Sequence, residues 1–245
     1  MEKLVDDLQK IFGSNLVCIL LLGSVQKGDT TPFSDTDLVV IIETLRISQM
    51  KKIRHMIRKS EKLLDLSILC LNEIPLDPNK FRIGTHGCYQ LELILKKAKC
   101  LYGKNILLKI GSPTKENINE SLFDKITQYT WWARRLFIES NRERSLESNY
   151  QLNSRLIKMI RGTVYLSGIA DIHMSAQKTT RLFLKHHRAL FSQKERQEIL
   201  NLTNKSLISK NTSNMSEAYF EVRHSIANKL HKIAMNLCCN SKPVT

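Results

Sequence analysis

The chain has 245 residues, 42% of them hydrophobic, with 38 Lys and Arg against 23 Asp and Glu and a formal net charge of +15. Such a chain buries one sizeable core or two modest ones, and its 9 Gly, 5 Pro and lack of any biased tract exclude a disordered or fibrous protein. The surplus is uneven, with 17 basic and 12 acidic residues in 1–110 and 21 and 11 in 111–245, a balance that suits a polyanion such as an NTP or RNA and equally a solvated surface.

From the N-terminus, Leu4, Val5, Leu8, Ile11 and Phe12 fall at helical spacing and Gly13 and Ser14 end that helix. Asp6 and Asp7 stand where a signal peptide needs an unbroken apolar stretch. LVCILLLG, residues 16–23, reads as a short buried strand closed by glycine. It falls far short of the roughly 20 residues that span a bilayer. A polar loop from Ser24 to Ser34 carries Gly28, Asp29, Thr30 and Pro32. DTDLVVII, residues 35–42, predicts a second strand, polar in front and β-branched behind. Residues 47–63 hold seven Lys, Arg and His side chains and predict an amphipathic surface helix. LLDLSILCL, residues 63–71, predicts a third buried strand with one charge in it. Pro75 and Pro78 mark a loop before a helix near 86–101.

Beyond Gly111, Ser112 and Pro113 no strand-like run follows. Helices are expected at about 117–140, 149–166, 179–187, 193–202 and 215–237. Leu122, Ile126, Tyr129, Ala133 and Leu136 form an apolar stripe on the first, and Trp131 and Trp132 in the same pattern are expected in the core. The fold class is therefore α+β, with a small α/β domain at 1–110 and an all-α helical bundle at 111–245. Cys18, Cys70, Cys88, Cys100, Cys238 and Cys239 contain no CxxC pair. They read as buried thiols in a reducing compartment, which points to the cytoplasm.

The chemistry concentrates in LLLGSVQKGDTTPFSDTDLVVII. A strand delivers Gly23 and Ser24 into a polar loop, and the next strand opens with Asp35 and Asp37. Residues two apart on a strand share a face, so both carboxylates converge and Thr36 turns away. Two adjacent anions repel unless a cation lies between them, and a site built of hard oxygens suits Mg²⁺ with substrate phosphates as further ligands. Gly23 lets the backbone approach a phosphate and Ser24 adds a hydroxyl donor. Asp65 is the one charge in its apolar strand; an unpaired buried carboxylate is costly, and a neighbouring metal removes that cost. The alternative for it is a strand-end ion pair with a lysine.

This segment resembles the active-site signature of the DNA polymerase β-like nucleotidyltransferase superfamily. A hydrophobic residue, Leu22, precedes Gly23 and Ser24; after ten intervening residues come Asp35, Thr36, Asp37 and Leu38. Thr36 stands where an aliphatic residue is usual, and Gly28 lies one residue later than the family's loop glycine. Asp65 matches the family's third carboxylate, and CLYGKNIL (100–107) is similar to the segment that closes the catalytic domain in the minimal and antibiotic-modifying members. The resemblance implies a mixed β-sheet flanked by helices, followed by a helical bundle. It implies transfer of a nucleoside monophosphate, most often AMP, from an NTP to a hydroxyl or phosphate, with pyrophosphate release. Asp35, Asp37 and Asp65 then hold Mg²⁺, two ions in the usual arrangement, and Gly23 and Ser24 bind nucleotide. Arg155 and Lys158, with Arg161, and Lys178 in SAQKTT are similar to the basic residues that such relatives bring to the triphosphate. The acceptor is left open among a small molecule, a protein side chain and an RNA end. The general base is open too, among Asp65, Glu92 and Glu120.

A second class is a nucleotide- or RNA-binding module, as in toxin–antitoxin-like systems, that keeps the fold without the catalysis. A module of that kind has no need of two repelling aspartates. Arg181 and His186 resemble the spaced arginine–histidine pair of HEPN-type ribonucleases, though Leu182 replaces the polar residue usual after the arginine. His224 and His231 lack an intervening HExxH motif, so a zinc site is not indicated. P-loop, dinucleotide-binding and nucleophile-elbow motifs are absent from the sequence.

Overall fold

A computed structural model describes residues 1–23, 36–60, 64–82, 87–139, 145–170, 174–203 and 217–239. It divides into two compact units, Met1–Ile118 and Asn119–Thr245.

The first unit holds α1 (Glu2–Phe12), β1 (Leu16–Leu21), β2 (Thr36–Ile42), α2 (Ile47–Lys59), β3 (Leu64–Cys70), α3 (Cys88–Lys97) and β4 (Lys99–Gly103). Its four strands run in the order β3-β2-β1-β4. β1 is antiparallel to both β2 and β4, whereas β2 and β3 are parallel, so the sheet is mixed. A parallel pair needs a crossover, and α2 supplies it by carrying the chain back from the end of β2 to the start of β3. Strand alternation splits the core in two. On one face Cys18, Leu20, Val39, Ile41 and Leu69 pack with Leu91 and Ile94 of α3. On the other, Ile19, Leu21, Leu38, Val40 and Ile42 pack with Leu8 and Phe12 of α1 and Ile53 of α2.

Three expectations change here. The helix expected near 86–101 stops at Lys97, Ala98 turns extended (φ −63°, ψ 133°), and Lys99–Gly103 pair with β1 as a fourth strand. β3 is an edge strand with one neighbour, so its front is open to solvent and Asp65 is exposed rather than buried. Cys18, Cys70 and Cys88 are buried as expected, but Cys100, on edge strand β4, is exposed. Burial pushes the Cys18 thiol up to about 11, which keeps it protonated and inert.

The described helices of the second unit are α4 (Lys115–Glu139, which begins in the last residues of the first unit), α5 (Ser145–Leu166), α6 (Ala176–His187), α7 (Gln193–Asn201) and α8 (Glu217–Cys239). Ile126, Leu156, Ile160, Phe183, Ile199, Ile226 and Leu230 lie within one buried cluster. The buried stripe of α4 runs through Leu122, Ile126, Thr130 and Ala133. Trp131 is rotated about 100° from Thr130 and is 64% exposed, which corrects its expected place in the core. Trp132 does pack against that core. Among the described residues no helix is long and apolar enough to cross a membrane.

Candidate active site

The pairing of β1 with β2 continues past the end of β1, where the Leu22 backbone N–H donates to the Asp37 carbonyl at 2.9 Å. That bond sets Gly23 beside Asp37. Gly23 has φ +75°, and a Cβ there would lie 1.8 Å from Asp37 Oδ2 and 2.9 Å from its Cγ. Glycine is required twice over, for its left-handed backbone and for the space the carboxylate occupies.

Asp37 is half-buried and Thr36 is buried, as their opposite faces demand. In the parallel β2–β3 register Asp37 lies opposite Asp65. In-register residues of neighbouring strands, about 4.8 Å apart, project to the same face. By alternation it is the face of Val39, Ile41 and Leu69, which α3 covers further along. Asp65 forms no ion pair among the described residues. Two carboxylates at this spacing repel each other. Both supply carboxylate oxygens, donors that fit a hard divalent cation. Asp35 and Ser24 lie outside the described residues, as does Gly28. Among the described residues no group of three or more His, Cys, Asp or Glu side chains comes together, so Asp37 and Asp65 stand as a pair.

Of the other base candidates, Glu92 of α3 is 6% exposed. One of its oxygens binds Lys96 Nζ at 2.6 Å, and Oε2 has no hydrogen-bond partner among the described residues. Glu120 is exposed on α4.

The basic residues sit in the second unit. The Arg155 guanidinium lies 3.2 Å from the Trp132 ring centroid and 5.7 Å from that of Tyr129, a cation–π stack. Burial lowers its pKa to about 10, so it stays charged at neutral pH. This stack had no distinct signal in the sequence beyond an arginine and two aromatics in separate helices. Arg161 is half-buried, and Lys158 and Lys178 are exposed; Ser175 caps the helix that carries Lys178. Arg181 lines a cavity of about 570 Å³ with Gln177, Thr180, Gln197 and Asn201, whereas His186 does not. Five helical residues separate the two by about 140°, so they do not converge on one point.

His231 binds Thr127 at 3.1 Å and stacks on Phe123, and His224 contacts Asn228 at 2.9 Å. Burial, then the nearby Arg134, lowers both imidazoles, which are structural groups of the bundle.

A mixed sheet of this topology, with Gly23 pressed on the first of two facing carboxylates, accords with a nucleotidyltransferase domain in the first unit. Residues 1–90 match the family model of the nucleotidyltransferase domain. In structure the chain is similar to spectinomycin adenyltransferase AAD(9) from Enterococcus faecialis, solved with ATP and spectinomycin. The TM-score is 0.68 and the identity 15%, over 94% of this chain and 97% of that one. No curated protein matches the sequence significantly.

Proposed function

We propose that the protein transfers AMP from ATP to a hydroxyl group of a small polar molecule, releasing pyrophosphate in a Mg²⁺-dependent reaction. The observation that carries this reading is the pairing of Asp37 with Asp65 across β2 and β3, with Gly23 against the Asp37 carboxylate. The likeness to a protein solved with ATP and spectinomycin supports the choice of nucleotide and of a small hydroxylated acceptor.

In the reaction the acceptor oxygen forms a bond to the α-phosphorus, and the bond from that phosphorus to the pyrophosphate oxygen breaks. Asp37 and Asp65, with Asp35 as the third ligand, would hold the metal. Bound there, Mg²⁺ would supply charge neutralisation and Lewis acidity toward the triphosphate. Gly23 holds the first carboxylate to one position by leaving it room, which keeps the binding geometry fixed between turnovers. Asp65, exposed and in no ion pair among the described residues, would take the proton of the incoming hydroxyl while it helps hold the metal.

The test is pyrophosphate release with each of the four NTPs, Mg²⁺ and a panel of aminocyclitol and sugar acceptors. ATP is expected to support turnover, and Asp37→Ala to lower it by about a hundredfold or more, the scale of lost transition-state charge stabilisation. Turnover equal in the wild type and Asp37→Ala would remove the proposed site. Preference for another NTP would overturn the choice of AMP.

A further inference from the structure

α2 does more than connect β2 to β3. Its sequence, ISQMKKIRHMIRK, holds Lys51, Lys52, Arg54, Arg58 and Lys59 and no acidic residue. Gln49, Ile53 and Met56 turn one side of the helix toward the unit, the first two buried and Met56 packed beside the core. Lys51, Arg54 and Arg58, at spacings of three and four, form a row roughly opposite that side. All three are exposed, and none forms an ion pair with any described carboxylate.

The favourable interaction of basic residues with a helix C-terminus accounts for Arg58 and Lys59 in the last turn, but not for Lys51 and Arg54 further back. Arg54 and Arg58 are a like-charged pair one turn apart, which weakens an isolated helix. A polyanion lying along the row turns that repulsion into attraction.

We propose that the outward row of α2 binds the phosphate backbone of a nucleic acid. A membrane is disfavoured by the arrangement of the side chains. An interfacial helix sinks an apolar row between flanking cations. Here the cations occupy the outermost row from Lys51 onward, with a single apolar residue, Ile47 (74% exposed), at its N-terminal end, and Met50 (53%) and Ile57 (36%) lie off to one side of it, where they suit contact with a base or ribose. The C-terminal end of the row returns to the edge of the sheet at which Asp37 and Asp65 stand, because Leu64 and Asp65 open β3 soon after Lys59. A bound strand therefore runs toward the carboxylate end of the unit. The surface goes beyond the adenylyl-transfer reading and does not depend on it.

The test uses the full chain with fluorescein-labelled single-stranded RNA and DNA of one sequence. Binding is read by anisotropy across a salt series, and flotation with phosphatidylserine vesicles is run alongside. The triple variant Lys51→Gln, Arg54→Gln, Arg58→Gln is expected to bind about tenfold or more weakly, with a log–log salt slope shallower by about 2, since each lost phosphate contact on a single strand removes about 0.7. A control triple, Lys185→Gln, Arg188→Gln, Lys194→Gln, removes the same charge from exposed positions of the second unit and is expected to keep the wild-type slope. Binding confined to RNA, or shared by RNA and DNA, supports the proposal and identifies the strand. An unchanged slope in the first variant, equal losses in the two variants, or vesicle binding lost while oligonucleotide binding stays intact would overturn it.

Discussion

Gly23 and Asp37 occupy one small volume, and that crowding makes a sharp prediction. An alanine at position 23 must adopt φ +75° and push its Cβ to 1.8 Å from Asp37 Oδ2. The backbone strain alone is about 1–2 kcal/mol, and relief comes most easily by turning the carboxylate away. Gly23→Ala is therefore expected to lower pyrophosphate release about a hundredfold, the cost of an ångström-scale misplacement, while the protein still melts cooperatively. Full activity in Gly23→Ala would mean that the position of Asp37 is immaterial to catalysis. Asp65→Asn separates chemistry from stability in another way. Because Asp65 is exposed and in no ion pair among the described residues, stability should change by no more than about 0.5 kcal/mol, with turnover lost. Unchanged turnover would take Asp65 out of the site. Spacing made Gly23, Asp37 and their neighbourhood legible, because glycine before a polar loop and alternating aspartates on a strand have few other uses. The exposure of Asp65 was not legible. LLDLSILCL is as apolar as a central strand, and only the strand order reveals it as an edge.

At the level of elements, local rules worked where one helix or strand supplied its own reason to form. α7 is such a case. Ser192 and Glu195 cap each other, with the Ser192 N–H donating to Glu195 Oε2 at 2.7 Å and the Glu195 N–H donating to Ser192 Oγ at 3.3 Å. Ser192→Ala should cost about 1 kcal/mol, read as a lower melting temperature. Glu195 also accepts from Ser225 at 2.7 Å and Lys229 at 2.7 Å. Burial by itself would raise its carboxyl, but the bonds from Lys229, Ser225 and Ser192 outweigh that and hold it at about 2 against an ordinary 4.5. The stabilisation this gives is complete above about pH 4.5 and fades as pH falls toward 2, since the unfolded chain takes up the proton first. Melts across that window should show stability falling with acid, and the fall should be shallower in Glu195→Gln. An equal fall in both would assign it to other carboxylates. β4 shows the opposite situation. KCLYG has no alternation of its own and forms a strand only because β1 offers an open edge, so the preceding helical pattern ran over it.

For the molecule as a whole, strand-like runs cease in the sequence before Gly111, whereas the two compact units meet between Ile118 and Asn119, and the polar interior of the second was not legible. Among the described residues Arg223 is the largest of the fully buried side chains, 2% exposed on the helix that also buries Ile226, Ala227 and Leu230. Its Nε donates to Glu198 Oε1 at 2.8 Å, and a second nitrogen donates to Asn153. Burial, set against the attraction of Glu198, lowers its pKa to about 10, so it is charged throughout the physiological range. An arginine in VRHSIANKL reads from sequence as surface, because the carboxylate that neutralises it lies 25 residues away in α7. The link joins α5, α7 and α8, so removing one partner should be felt across the bundle. Arg223→Met keeps most of the volume but strands Glu198, whose side chain is only 12% exposed. A loss of about 3–5 kcal/mol is expected, on the order of 10 °C in melting temperature for a unit of this size. Arg223→Met with Glu198→Leu removes both charges together and should regain most of it, since a matched apolar pair often equals a buried ion pair. The comparison of single and double variants by thermal denaturation isolates the coupling. If the double variant is no more stable than Arg223→Met alone, the stranded charge is not the source of the loss, and the packing of the arginine stem has to be.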